Sequence, residues 1–199
     1  GKSGILNSVF QRIGALRRIA YHVPNEHLPK IATAIIGSKI RYGIGIYGSV
    51  RLTEEDPSSE ECRKLQVALN DAMRIVNGSR RRDRVSIVDL VELTGLKTFN
   101  RMAAEESLSL IWQATHKTSS PLSSIFEERM GSTYVRASRF ACRGNLRNEA
   151  ITSLGQRNFP EPGIRIWNHS TPSVREAITK YSVKKEKSLI WTICISGVF

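Results

Sequence analysis

The residues GIGIYG at 43–48 have the glycine spacing of a dinucleotide-binding loop. Such glycines let backbone approach a pyrophosphate, but only between a strand and a helix. Here a helical pattern precedes them and an acidic link, TEEDPSSEE, follows, so they read as a helix end thinned for close packing. GKS at the start matches only the tail of a phosphate loop, and VSIVD at 85–89 sits in a helical setting. His22, His27, His116 and His169 stand apart, with no cysteine or carboxylate at zinc-ligand spacing. No GxSxG elbow and no close pair of aspartates occurs, which argues against a serine hydrolase and a two-metal polymerase centre. No cofactor, metal or catalytic residue is expected.

What remains is cationic. Lysine and arginine outnumber aspartate and glutamate by 30 to 18, for a net charge of +12. That excess does not choose a fold, but it favours a polyanionic partner, because bound cations release counterions from a nucleic acid. The densest run lies in AMRIVNGSRRRDR, where Arg80, Arg81, Arg82 and Arg84 follow a helix stop. Two readings stay open there: contact with a phosphate backbone, or a solvated loop whose like charges repel. A second group lies off the apolar stripes of the first two helices: Arg12, Arg17, Arg18, Lys30, Lys39 and Arg41. Together the ten residues are the candidate nucleic-acid-binding set.

The elements that must position them are helical. Ile5, Leu6, Val9, Phe10, Ile13, Leu16 and Ile19 have three-and-four spacing, which predicts a first helix. Pro24-Asn25 breaks it. A second helix is expected with Leu28, Ile31, Ile35 and Tyr42 on one side. Ser58 and Glu61 form a capping box for a third, which carries Cys62, Leu65, Leu69, Ala72, Met73 and Val76 and stops at Gly78. A short helix over Ser86–Thr94 closes at Gly95, and a long one follows from Phe99 to about Thr118. Pro121–Met130 reads as one more short helix. Between Gly131 and Gly163 the periodicity fades into loop with two strands. Ile164, Ile166 and Trp167 then suggest a strand, with Trp167 a core anchor, Asn168–Pro172 a turn, and Thr171 or Ser173 the cap of a last helix.

The fold class is therefore mainly α: a three-helix bundle over 1–78, then a helical and connector region with a small β element over 79–199. An apolar fraction of 40% and a charged fraction of 24% suit a folded chain. Cys62, Cys142 and Cys194 leave an odd thiol and form no CxxC, the usage of a reducing, intracellular compartment, nuclear or cytoplasmic. SLIWTICISGVF is shorter than the ~20 residues a membrane-spanning helix needs, so no membrane partner is expected. The opening GKSG reads as a cut through a longer polypeptide.

In this order the features resemble the thumb and C-terminal region of non-LTR (LINE-like) retrotransposon reverse transcriptases. RIGALRRIAYHVPNEHLPKIATAIIGSKIRYGIGIYGS is similar to the thumb that follows the palm, where a basic helix precedes one ending in Tyr-Gly. LQVALNDAMRIVNGSRRRDRVSIVDLVELTGLKTFNRMAAEESL resembles the next segment through Met73, Arg74, Ile75, Gly78, Leu90, Gly95, Leu96 and Arg101. RIWNHSTPSVREA resembles the closing segment through Trp167, Asn168, Pro172, Val174 and Arg175. Ser170-Thr171 departs from the usual leucine before the proline. The apolar tail lacks the common lysine-rich helix, and the aspartate-bearing palm is missing.

The resemblance implies a non-catalytic fragment of an RNA-directed DNA polymerase. It would hold RNA and DNA as a template–primer hybrid through phosphates, beside the upstream palm of a parent chain. Phosphate contacts of this kind position a duplex without reading its sequence. By itself the fragment should synthesise nothing. Two alternatives are a helical interaction or scaffold module that binds an acidic protein, and a decayed reading frame without function.

Overall fold

The first apolar stripe forms helix α1, Ile5–Ile19, in a computed structural model that describes residues 4–48, 60–116, 123–124 and 161–169. Val9, Ile13 and Leu16 are its buried positions. Their three-and-four spacing aims one face at the core.

The second expected helix comes in three parts: α2 (Leu28–Ala32), a π-turn (Thr33–Gly37) and α3 (Ser38–Arg41). Its core face also differs from expectation. Leu28, Ala32, Ile36 and Ile40 are buried, Ile31 and Ile35 only half-buried, and Tyr42 is 81% exposed. The buried residues recur every four positions. An α-helix turns about 100° per residue, so each four-residue step overshoots a full turn by about 40°. Over three steps the stripe would spread across about 120°. A π-turn closes its hydrogen bonds at five residues rather than four, so it underturns and returns Ile36 and Ile40 to the face of Leu28 and Ala32. Thr33 donates its hydroxyl proton to the Pro29 carbonyl (2.8 Å), and Ser38 donates to that of Ala34. Such back-bonding to the i−4 carbonyl bends helices.

Gly43, at φ +74°, turns the chain into α4 (Ile44–Tyr47). The third long helix, α5, is Glu60–Asn77. Its expected capping residue, Ser58, lies outside the described residues. At its first turn Arg63 hydrogen-bonds the exposed Glu60 carboxylate and holds its pKa below the usual range. Its end follows the expectation. Gly78 adopts φ +70°, the Ser79 N–H donates to the Arg74 carbonyl (2.9 Å), and the Gly78 N–H donates to that of Ile75 (3.3 Å). Those two bonds are a Schellman closure, which needs a left-handed residue and so favours glycine.

Helix α6 (Ile87–Thr94) begins at Ser86, whose hydroxyl accepts the Asp89 N–H (3.1 Å). It ends at Gly95, φ +65°, whose N–H reaches the Val91 carbonyl (2.8 Å). Helix α7 spans Phe99–His116. Gln66, buried on α5, accepts the Phe99 N–H through Oε1 and donates from Nε2 to Asn70, both at 2.7 Å. An N-terminal N–H that has no partner within its own helix is thus satisfied by a side chain of another.

The chain divides into two compact units: residues 1–44 with 53–102, and residues 45–52 with 103–199. The first therefore runs past the expected boundary at 78, through α6 into the first turn of α7. In it α1 packs on α3 and α5, α2 on α5, and α5 on α6.

In the second unit the expected strand at Ile164–Trp167 is instead helical: α8 spans Glu161–His169. Gly163, Ile164, Ile166 and Trp167 are all buried. At about 100° per residue they fall within one arc of about 160°. Local alternation of Ile164 and Ile166 suggested a strand, but Glu161 and Pro162 suit the first turn of a helix. A Cβ on Gly163 would lie 2.7 Å from Ile111 Cδ1, so the glycine lets α8 approach α7 closely. Trp167, 7% exposed, is the core anchor expected. The fold is mainly α, and no strand occurs among the described residues. The short helix at Pro121–Met130, apart from residues 123–124, lies outside them, as does the loop with two strands expected between Gly131 and Gly163, except that 161–163 are helical. Of the expected turn Asn168–Pro172, residues 168–169 belong to α8, and the rest, with the caps Thr171 and Ser173, lies outside.

Two substitutions test this packing. Gln66→Leu keeps the volume but leaves the buried Phe99 N–H without its acceptor, and should cost about 1–3 kcal/mol in urea unfolding. A Cβ at Gly45 would sit 2.7 Å from Leu110 Cδ1 and 3.5 Å from the Glu106 carbonyl carbon. Gly45→Val is therefore expected to destabilise by about 1–3 kcal/mol in the same assay.

Candidate nucleic-acid interface

Arg17 and Arg18 occupy the last turn of α1, where cations suit the negative end of the helix dipole. Both are exposed, as is Lys30 on α2. A break of only eight residues joins α1 to α2, so the three cations belong to one end of a helical hairpin. Among the described residues none of the three meets a carboxylate.

The other cations expected on these helices are placed differently. Arg12 turns inward: its guanidinium is half-buried, and Nη1 donates to the Ile35 carbonyl within the π-turn at 2.6 Å. It ties α1 to the second helix instead of standing on an outer ridge. Lys39 is half-buried. Arg41, also half-buried, lines a cleft of about 80 Å³ with Lys97 above an apolar floor that includes Ile36, Leu69 and Met102.

The arginine run is partly folded back on itself. Arg81–Asp83 forms a 3-10 turn. The Asp83 N–H donates to the Arg80 carbonyl (3.0 Å), and the Asp83 carboxylate accepts the Arg80 N–H. Arg81 forks onto Asp71 of α5: Nε donates to Oδ1 at 2.9 Å and Nη2 to Oδ2. Asp71 is 13% exposed and also lies 3.7 Å from Arg74. Its hydrogen bonds, and then its charge, push the Arg81 pKa above the usual guanidinium value. Arg82 and Arg84 face water. Arg84 adopts the left-handed conformation, φ 49° and ψ 30°, rare for a non-glycine residue, and delivers the chain to the Ser86 cap.

Asp71 is the residue that sequence reasoning missed. It lies ten positions before Arg81, and only the reversal at Gly78 brings the two together. Tyr21 was also missed. It is 88% exposed and stands edge-to-face with His22, ring centroids 5.2 Å apart at 84°.

The GIGIYG stretch contains a helix, Ile44–Tyr47, rather than a phosphate loop, and its Gly45 is buried against α7. Among the described residues no three His, Cys, Asp or Glu side chains group to hold a metal. No helix among them is long and apolar enough to cross a membrane. The Cys62 side chain is buried. No protein-family model, curated protein or solved structure matches the chain.

Asp71→Asn should lower the melting temperature, because Arg81 loses its anchor. If the freed guanidinium then reaches phosphate, the slope of log affinity against log salt on an RNA–DNA hybrid should steepen by up to about 1. An unchanged slope would assign Arg81 to structure alone.

Proposed function

We propose that this chain is the non-catalytic, nucleic-acid-holding end of an RNA-directed DNA polymerase of the non-LTR retrotransposon type. It grips a template–primer duplex through phosphates and leaves synthesis to a palm supplied by a longer parent. The observation that carries the reading is the outward, carboxylate-free placement of Arg17, Arg18 and Lys30 at one end of the α1–α2 hairpin. Arg82 and Arg84 are exposed as well. Five cations of this kind bind a polyanion by charge and shape, without base readout.

A second reading, an interaction module, draws on α6. Ile87, Val88 and Leu93 are 44%, 61% and 65% exposed there, beside Asp89 and Glu92. Apolar exposure of this kind marks partner surfaces when it is contiguous.

Fluorescence anisotropy of the folded chain against an RNA–DNA hybrid, at several salt concentrations, separates the two. Five phosphate contacts predict a slope of about −4.5, hence a loss of roughly 500-fold between 50 and 200 mM salt. Arg17→Glu with Arg18→Glu should flatten the slope by about 2 and weaken binding more than tenfold at low salt. No binding at low salt by a chain shown folded by circular dichroism would reject the polymerase reading and leave the interaction module.

A further inference from the structure

Tyr21 needs its own explanation. Arg17 and Arg18 have a structural use at the end of α1, where they oppose the helix dipole. A tyrosine ring 88% exposed has no such use, since it buries almost nothing. It is also held in place. The Ala20 N–H donates to the Leu16 carbonyl (2.8 Å) and the His22 N–H to that of Ile19 (2.9 Å), so the backbone continues one more turn past the helix. The edge-to-face contact with His22 restricts the ring further. Residues three and four apart on a helical turn are neighbours, and the turn at 20–22 continues that spacing, so Tyr21 shares one flank of the chain with Arg17 and Arg18. An exposed aromatic ring thus stands on the same flank as two guanidiniums that meet no carboxylate among the described residues.

We infer that Arg17, Arg18, Tyr21 and His22 form a stacking site for an unpaired nucleotide, with the base on the Tyr21 ring and its phosphates against the arginines. Every base has a π-face, so such a platform accepts single strands with little sequence preference, and adjacent cations follow the backbone. A base inside a duplex cannot use it, because both its faces are covered by neighbours in the stack, and a blunt end offers only the outer face of its last pair. The site therefore adds to duplex holding a grip on the single-stranded template or primer where it leaves the duplex. It rests on the nucleic-acid reading above. Tyr42, 81% exposed, is not part of it: it lies at the end of α3, and α2 and the π-turn separate it from this end of the hairpin.

The test compares five ligands by anisotropy on the full chain: a blunt RNA–DNA hybrid, the hybrid with a five-uridine overhang, the same overhang made abasic, a uridine decamer and its abasic counterpart. The overhang should bind about 5- to 50-fold more tightly than the blunt hybrid, and the abasic overhang should lose that gain. Tyr21→Ala should abolish the gain and leave the blunt hybrid unchanged, while Tyr21→Phe, which keeps the ring, should preserve it. Equal affinity for base-bearing and abasic strands, or equal behaviour of the Ala and Phe variants, would overturn the stacking site while duplex holding stood. If the blunt hybrid fails to bind, the decamer pair still decides the question: preference for the base-bearing strand, lost in Tyr21→Ala, supports stacking, and no preference ends it. Tyr21 lies outside the core, so circular dichroism should show both variants folded.

Discussion

The helical hairpin depends on keeping a four-residue stripe in register. Leu28, Ala32, Ile36 and Ile40 all face the core, and in an unbroken α-helix that spacing drifts by about 120°. The π-turn at Thr33–Gly37 absorbs the mismatch. Arg12 then joins the turn to α1 by a charged donor on the Ile35 carbonyl. Because α1 and α2 both pack on α5, an error in this register would reach the helix that carries Asp71 and Gln66. The position of the arginine run and the start of α7 both follow from those two residues.

Charge is divided between internal and external use. Arg12 and Arg81 are similar residues in a sequence with many arginines, yet each is spent on the fold: one on a backbone carbonyl, the other on a largely buried carboxylate. Asp71 would be costly to leave unpaired near the interior, and the forked bond from Arg81 offsets that cost with two charge-assisted hydrogen bonds. Arg17, Arg18, Lys30, Arg82 and Arg84 have no such duty among the described residues and face solvent. The formal charge of +12 therefore does not say which cations a ligand meets.

The residues that carry the resemblance to retrotransposon polymerases are largely those that shape the helices. Gly78 and Gly95 take the left-handed caps, Met73, Leu90, Leu96 and Trp167 are buried, and Arg74 stands beside Asp71. Their pattern constrains a fold more than a chemistry. The proposed function leans instead on the exposed cations, and the stacking site on Tyr21, none of which the core requires.

Periodicity and end signals were legible in the sequence. The stripe of α1, the glycine stops at 78 and 95, the short helix before Gly95 and the long helix from Phe99 all depend on neighbours within about one turn, and local physics sets them. The π-turn, the Arg81–Asp71 fork, the inward Arg12 and the helical state of Glu161–His169 were not legible. Each depends on a surface supplied by a distant segment: the core beneath Ile36, a carboxylate on the far side of a chain reversal, the carbonyl of Ile35, and Ile111 against Gly163. The sequence alone determined the stripe of α1, the glycine stops of α5 and α6, the start of α7 and the amount of positive charge. Only the tertiary structure decided which face is buried and which arginines remain for a ligand, because a side chain's partner is chosen by three-dimensional proximity, which local spacing does not encode.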